Sequence, residues 1–141
     1  MKFNSGIHGE FKYTEDDIIE LVKPIQGFEW IHKFILVELE GYKPFKLFQA
    51  LEDDRIAFIV TSPFEFFEEY ELNISDSVIK DLDIKNSKDV IILTTINLNS
   101  DPKKTTTNLR APIIINKLNR LGEQIILDIQ KYKIKHPLLK E

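Results

Sequence analysis

The sequence contains no cysteine and a single methionine, so any chemistry it performs must come from other residue types. Without cysteine there is no disulfide framework, no thiolate metal site and no cysteine nucleophile. Glycines are few and dispersed, and the phosphate-binding and dinucleotide-binding glycine motifs do not occur. The nucleophile motif G-x-S-x-G is missing as well. These absences exclude several common enzyme classes.

Long apolar runs are also missing. The best run, Ile56–Val60, has the length of a buried strand rather than that of a membrane span. The first residues, Met1–Gly6, lack the apolar core of a signal peptide. We therefore expect a cytoplasmic protein that does not enter a membrane.

The titratable residues show no catalytic or metal-binding arrangement. The histidines are scattered, without a second ligand at helical spacing: His8, His32 and His136. Carboxylates occur in three neighbouring pairs, Asp16-Asp17, Asp53-Asp54 and Glu68-Glu69. Neighbouring side chains in a strand or turn point apart, whereas acid–base catalysis needs two carboxylates that converge on one substrate. We expect neither an enzyme nor a bound metal or cofactor.

Length and charge favour one domain that binds proteins. The 141 residues, 43% of them hydrophobic, suffice for one core, so we expect a single domain over residues 1–141. From about residue 133 we expect a loose C-terminal tail. The net charge is −4; acids dominate residues 65–89, and lysine and arginine dominate after residue 103. This balance argues against direct nucleic-acid binding. We expect a monomer whose partners are other proteins.

Strand signals dominate the chain. Isoleucine, valine and phenylalanine are abundant, and short alternating segments are separated by turn signals. The predicted strands are Lys2–Asn4, Glu10–Tyr13, Ile18–Val22, Phe34–Glu38, Phe45–Ala50, Ile56–Thr61, Glu71–Ile74, Val90–Asn97, Thr106–Leu109, Ile113–Asn116 and Gln124–Asp128. Many short strands without long helices predict a mainly β fold, a small antiparallel β-barrel or sandwich. A hollow ligand-binding barrel and an OB-like nucleic-acid module are the alternatives.

Two short helices are expected between the strands. Ser62-Pro63-Phe64-Glu65 has the pattern of a capping box with proline in the first turn, and Phe64 and Phe67 should share one side of the brief helix. The second helix, about Asp76–Leu82, has Ser75 or Asp76 as its cap. Its inner stripe should be Val78, Ile79 and Leu82.

A series of local patterns resembles a known family. In order along the chain they are Pro24–Glu29 (PIQGFE), Pro44–Ala50 (PFKLFQA), Ala57–Tyr70 (AFIVTSPFEFFEEY), Asp89–Leu93 (DVIIL), Thr107–Asn116 (TNLRAPIIIN), and Tyr132 with His136-Pro137. Together they resemble the bacterial flagellar assembly factor FliW family, from about Gly9 to Pro137. The chain departs from the family at Val22–Ile25, where phenylalanine-proline usually precedes the G-F-E turn.

The resemblance implies an adaptor rather than a catalyst. Members of this family form a compact β-barrel-like domain and bind flagellin, through its terminal helical region, and CsrA, a small dimeric repressor of translation. Accumulated flagellin occupies the factor and leaves CsrA free to repress flagellin mRNA. After flagellin export, the freed factor captures CsrA and translation resumes. The resemblance further implies that CsrA is antagonised allosterically.

The residues suggest where such partners would bind. We expect the acidic stretch Glu65–Asp83 to form part of a surface for the basic repressor. Phe66 should be a partly exposed anchor, and the charged contacts should be Glu65, Glu68, Glu69 and Glu71. The alternative is that the phenylalanines are core residues and the glutamates only solubilise.

A second surface is suggested by the NLRAPIIIN pattern. If Pro112 marks an unpaired sheet edge, a flagellin segment could add there, with Arg110 as an exposed contact. The simpler interpretation is that Asn108 and Asn116 are buried amides that tie turns to the sheet.

Overall fold

Strands dominate the computed structural model, which describes residues 1–6 and 9–139. Within these residues the strands are β1 Lys2–Ser5, β2 Gly9–Lys12, β3 Ile19–Lys23, β4 Lys33–Glu38, β5 Lys46–Ala50, β6 Ala57–Thr61, β7 Val90–Asn97, β8 Thr106–Thr107, β9 Ile113–Asn116, β10 Leu121–Gln124 and β11 His136–Pro137. The one α-helix among them is α1, Asp76–Asp81, and single 3₁₀ turns lie at Glu15–Asp17, Pro63–Glu65, Ser87–Asp89 and Pro102–Lys104. No helix in this part of the chain is long and apolar enough to cross a bilayer.

Seven strands close into a barrel. Their order is β7-β6-β5-β4-β3-β10-β9, and β9 pairs with β7 again. The predicted mainly β barrel is therefore confirmed. One neighbouring pair is parallel rather than antiparallel, β3 with β10, where Glu20 lies opposite Leu121. Strand directions can alternate all the way around a ring only if the number of strands is even, so a seven-stranded ring requires a parallel pair.

The barrel interior is filled by its own side chains. Phe34 and Phe48 are fully buried and their rings stack with centroids 4.3 Å apart. Alternate residues of β9, Ile113 and Ile115, point into the same core and have no exposed surface. Small barrels are commonly packed in this way by their own side chains.

A second apolar layer covers the outside of β7, β9 and β10. Ile114, between the two inward-facing isoleucines, packs against α1 through Val78 and Leu82. The Ser75 hydroxyl accepts a hydrogen bond from the Val78 amide at 3.3 Å, which confirms the predicted cap. Ile79, predicted to face inward, is 38% exposed. Val78 and Leu82 are four residues apart and share the buried face, whereas Ile79 lies about 100° around the helix from Val78.

The NLRAPIIIN segment is structural at both asparagines. Asn116 donates from Nδ2 to the Leu82 and Asp83 carbonyls at 2.9 and 3.1 Å, and so holds the end of α1. The Asn108 Oδ1 accepts from the Ala111 amide at 3.1 Å. The buried-amide interpretation is thus confirmed for Asn116, whereas Asn108 ties its turn from a half-buried position. The expectation of an unpaired edge at Pro112 is wrong, because the following strand, β9, pairs on both sides.

Three strand predictions need correction, and in the first of them the strand expected at Thr106–Leu109 ends at Thr107. Glu71–Ile74 lies outside the sheets. The strand expected at Gln124–Asp128 lies earlier, at Leu121–Gln124, where a glycine and two polar residues conceal it. Gly122 is needed there because a Cβ atom would lie 3.0 Å from the Ile114 carbonyl oxygen. Apolar alternation therefore misplaced this strand.

The two ends of the chain are attached to the barrel. The β1–β2 hairpin forms a separate sheet, and its Ser5 hydroxyl donates to the buried Gln49 Oε1 at 2.6 Å. At the other end β11 pairs with β8, placing His136 opposite Thr107, and Leu138 is buried. Part of the segment after residue 133 therefore contacts the sheet, through β11 and Leu138.

A buried carboxylate lies between the barrel and α1. Glu123 of β10 has no exposed surface, and neither of its carboxylate oxygens has a hydrogen-bond partner among the described residues. The Lys23 ammonium lies 3.6 Å from Glu123 and 3.5 Å from Asp81 at the end of α1. Burial raises the pKa of the Glu123 carboxyl, Lys23 counteracts this effect, and Asp81 adds to it.

This raised pKa predicts a pH dependence of stability. Above the ordinary glutamate pKa of 4.5 the unfolded chain loses a proton that folded Glu123 retains, so the free energy of unfolding falls as pH rises. The fall ends above the folded-state pKa. We expect Glu123→Gln to remove this fall. The free energy of unfolding of the wild type, measured relative to that of the variant, should therefore decrease from pH 4.5 up to the folded-state pKa. Urea denaturation at a series of pH values measures the difference.

The matched control is Glu20→Gln, an exposed glutamate on β3. It should leave the pH profile parallel to that of the wild type. A Glu123→Gln profile that also paralleled the wild type would contradict the assignment.

Candidate protein-binding surface

The acidic segment, residues 65–71, lies on the connection between β6 and α1. It follows one 3₁₀ turn, Pro63–Glu65, whose first hydrogen bond runs from the Glu65 amide to the Ser62 carbonyl at 3.1 Å. The predicted capping box is absent, since the Ser62 side chain makes no cap hydrogen bond. The amides of Phe66 and Phe67 instead donate to the Pro63 carbonyl, so this single backbone turn does not use the side-chain cap.

The three phenylalanines of this connection differ in exposure. Phe64 is 43% exposed and its ring centroid lies 5.8 Å from that of Tyr70, and Phe67 packs against the cluster that contains Tyr70. Both therefore lie beside the same cluster, although they are not equally buried. Phe66 is half-buried and stacks against Phe45 with centroids 5.8 Å apart. Phe64 is thus the more exposed aromatic.

Four of the residues singled out in the sequence line one cleft. The wall formed by the acidic segment includes Glu65, Phe66, Glu68 and Glu69, and the glutamates are exposed. The opposite wall comes from the Leu109 loop and from residues 131–136, the C-terminal segment. The cleft has a volume of about 580 Å³. The opposite wall includes Lys131, Tyr132 and His136, which no local pattern marks as site residues. Tyr132 and His136 belong to the family pattern, which was the available signal.

Two tyrosines fix the acidic segment against the C-terminal segment. The Tyr70 hydroxyl donates to the Leu109 carbonyl at 2.7 Å, and the Tyr132 hydroxyl accepts from the Glu71 amide at 2.7 Å. Their rings lie 4.7 Å apart. Burial, with a contribution from Tyr132, raises the pKa of Tyr70 and keeps it a donor. The glutamates are therefore presented from a fixed backbone.

His136 adds no positive charge to the cleft at neutral pH. Its ring packs edge-on against Phe67 at 5.2 Å, and Nδ1 is buried with no hydrogen-bond partner among the residues that the structure describes. Burial, with Lys133 nearby, lowers the pKa of His136. Lys131 is then the cationic side chain among the lining residues, against three glutamates. The cleft is acidic.

The remaining two residues of interest lie beside this cleft. Glu71 is exposed and lines an adjoining cleft with Phe64 and Ile129. Arg110 follows the lining residue Leu109 and is half-buried, with its Nε atom buried and lacking a hydrogen-bond partner within the described part of the chain. No group of three or more histidine, aspartate or glutamate side chains among the described residues could hold a metal ion. The arrangement supports recognition of a basic surface by charge and aromatic contact.

Comparison with known proteins places the chain in a family. The model of the family described as FliW protein matches residues 2–138. A flagellar assembly factor FliW of Clostridium beijerinckii is 58% identical over the whole length of both chains. One from Clostridium botulinum strain Alaska E43 is 56% identical, again over the whole of both.

A solved structure agrees with the sequence comparisons. The crystal structure of the flagellar assembly factor FliW superposes with a TM-score of 0.93 and 34% identity, covering 100% of this chain and 99% of that one. The family pattern, the full-length relatives and the seven-stranded barrel therefore agree. The chain belongs to the FliW family of flagellar assembly factors.

Proposed function

We propose that the protein is a non-catalytic adaptor that binds flagellin and a CsrA-type translational repressor, and thereby couples flagellin translation to flagellin export. It would act as a single-domain monomer in the cytoplasm, without a cofactor and without binding nucleic acid or membrane. The observation that carries the proposal is a rigid acidic cleft outside a barrel whose interior is filled by its own side chains. A filled barrel counts against the ligand-binding alternative.

Electrostatics support capture of the repressor at the acidic cleft. Repressors of this type carry basic surfaces that bind RNA, and an acidic face accelerates their encounter while repelling RNA from the complex. Glu65, Glu68 and Glu69 are exposed on one wall, so their charges are available to a partner. Phe66 offers a half-buried aromatic contact between them.

Flagellin would bind at a neighbouring surface that includes Arg110. This side chain is half-buried beside Leu109, whose carbonyl accepts the Tyr70 hydrogen bond. A flagellin contact at Arg110 would therefore touch the residues that hold the acidic segment. Such contact offers a physical route by which one partner influences the other.

Charge reversal at Glu68 and Glu69 tests the repressor surface. We expect Glu68→Lys/Glu69→Lys to slow association with the purified repressor by about tenfold, because electrostatic steering is lost. The dependence of the association rate on sodium chloride should flatten as well. Stopped-flow binding across a salt series measures both effects.

A matched control carries the same change in net charge elsewhere. Glu15→Lys/Asp16→Lys alters two exposed acids in the turn between β2 and β3. It should leave most of the rate and of its salt dependence. Equal behaviour of the two double variants would contradict the proposed surface.

Charge reversal at Arg110 tests the flagellin surface. We expect Arg110→Glu to weaken flagellin binding by about tenfold, since a charge-assisted contact worth about 1.5 kcal/mol is lost. Lys117→Glu, an exposed position in the β9–β10 turn, serves as the control. Calorimetry gives the affinities and thermal unfolding verifies the fold. A folded Arg110→Glu variant with normal flagellin affinity would remove this residue from the site.

A further inference from the structure

Residues Glu71–Ile74 have the alternation of a strand but belong to no sheet. Glu71 and Asn73 are exposed, whereas Leu72 and Ile74 are half-buried. Leu72 and Ile74 pack against the apolar layer that contains Ile92 of β7. The side chains are therefore arranged as in an edge strand with one face on a core.

The backbone of this segment has few partners. The Glu71 amide donates to the Tyr132 hydroxyl at 2.7 Å. For Leu72, Asn73 and Ile74, no backbone hydrogen bond forms with any other described residue. A row of unpaired amide and carbonyl groups on an extended segment is a template for pairing with another chain.

Two adjoining clefts lie along the segment. They have volumes of about 640 and 410 Å³ and share the lining residues Phe64, Leu72, Asn73 and Ile92. Exposed apolar side chains border the larger one, with Phe64 43% and Ile79 38% exposed. A strand added here would find apolar pockets for alternate side chains, as strand-addition sites require.

Charge selects the occupant of this edge. Glu71 lies within the segment itself, and Glu68 and Glu69 are exposed just before it. Lys85, which lines the larger cleft, is paired with Asp83 at 2.8 Å. A second copy of the chain would bring the glutamates face to face, which disfavours self-association. A segment with basic residues between its apolar ones would instead be attracted.

We propose that Leu72–Ile74 accepts an extended, basic segment of the partner protein as an added strand, with apolar side chains of that strand entering the two clefts. The inference rests on the proposed capture of a basic repressor and specifies how the contact is made. Backbone pairing would supply affinity, and the glutamates would supply charge selectivity.

A proline at residue 73 tests the backbone contact. Asn73→Pro removes the amide hydrogen at an exposed position that has no hydrogen-bond partner among the described residues. We expect it to weaken binding of the purified repressor by about tenfold, through a lost hydrogen bond and a poorly fitting ring. Asn73→Ala changes the side chain but keeps the amide, and should remain within about twofold of the wild type. Calorimetry compares the three proteins, with flagellin titrated in parallel.

The outcomes separate this inference from the proposed function. If the wild type fails to bind the repressor, the proposed function is wrong. If the wild type binds and Asn73→Pro binds equally well, the added strand is wrong and the function stands. Loss of flagellin binding alone would likewise overturn the assignment of this edge to a basic partner.

Amide hydrogen exchange provides a readout that needs no variant. In the wild-type complex with the repressor, at least one amide of Leu72, Asn73 or Ile74 should become protected by about tenfold or more. Unchanged exchange at all three would overturn the proposal even if Asn73→Pro did not fold.

Discussion

The burial of β9 on both faces is the constraint on which the rest of the structure depends. Ile113 and Ile115 fill the barrel, while Ile114 between them is covered by α1 and the outer layer. A strand that is apolar on both faces needs cover on both, so the barrel requires a second layer of chain on this wall. That layer brings the acidic segment and the C-terminal segment together, and the cleft is where they meet.

Lys23 makes a contact that the local sequence pattern does not reveal. Its ammonium lies within 3.6 Å of the carboxylates of both Glu123 and Asp81. Glu123 itself comes from a strand that apolar alternation misplaces. In the sequence neither Lys23 nor Glu123 suggests an ion pair. The two are far apart along the chain and come together only because β3 pairs with β10, from Glu20 and Leu121 onward. Such long-range contacts cannot be inferred from local pattern.

Local patterns were sufficient where local physics decides. Short apolar runs bounded by turn signals place β4, β5 and β6 to within one residue, since these strands pack on the barrel core. Glu71–Ile74 alternates but lacks a neighbour, because alternation reports burial of one face and not hydrogen bonding. For the surface, the sequence located the glutamates but misjudged Phe64, whose exposure depends on a short turn. The opposite wall, with Tyr132 and His136, comes from distant residues that only folding brings close.

The parallel junction of β3 and β10 also affects how the protein emerges during synthesis. It pairs Glu20 with Leu121, so the ring cannot close until Leu121 has left the ribosome. Before that point the early strands expose apolar edges and half of a core. Contacts between such distant residues form slowly because loop closure must precede them. The barrel therefore closes late in synthesis. Until then, short strands and charged turns limit aggregation of the nascent chain with other chains.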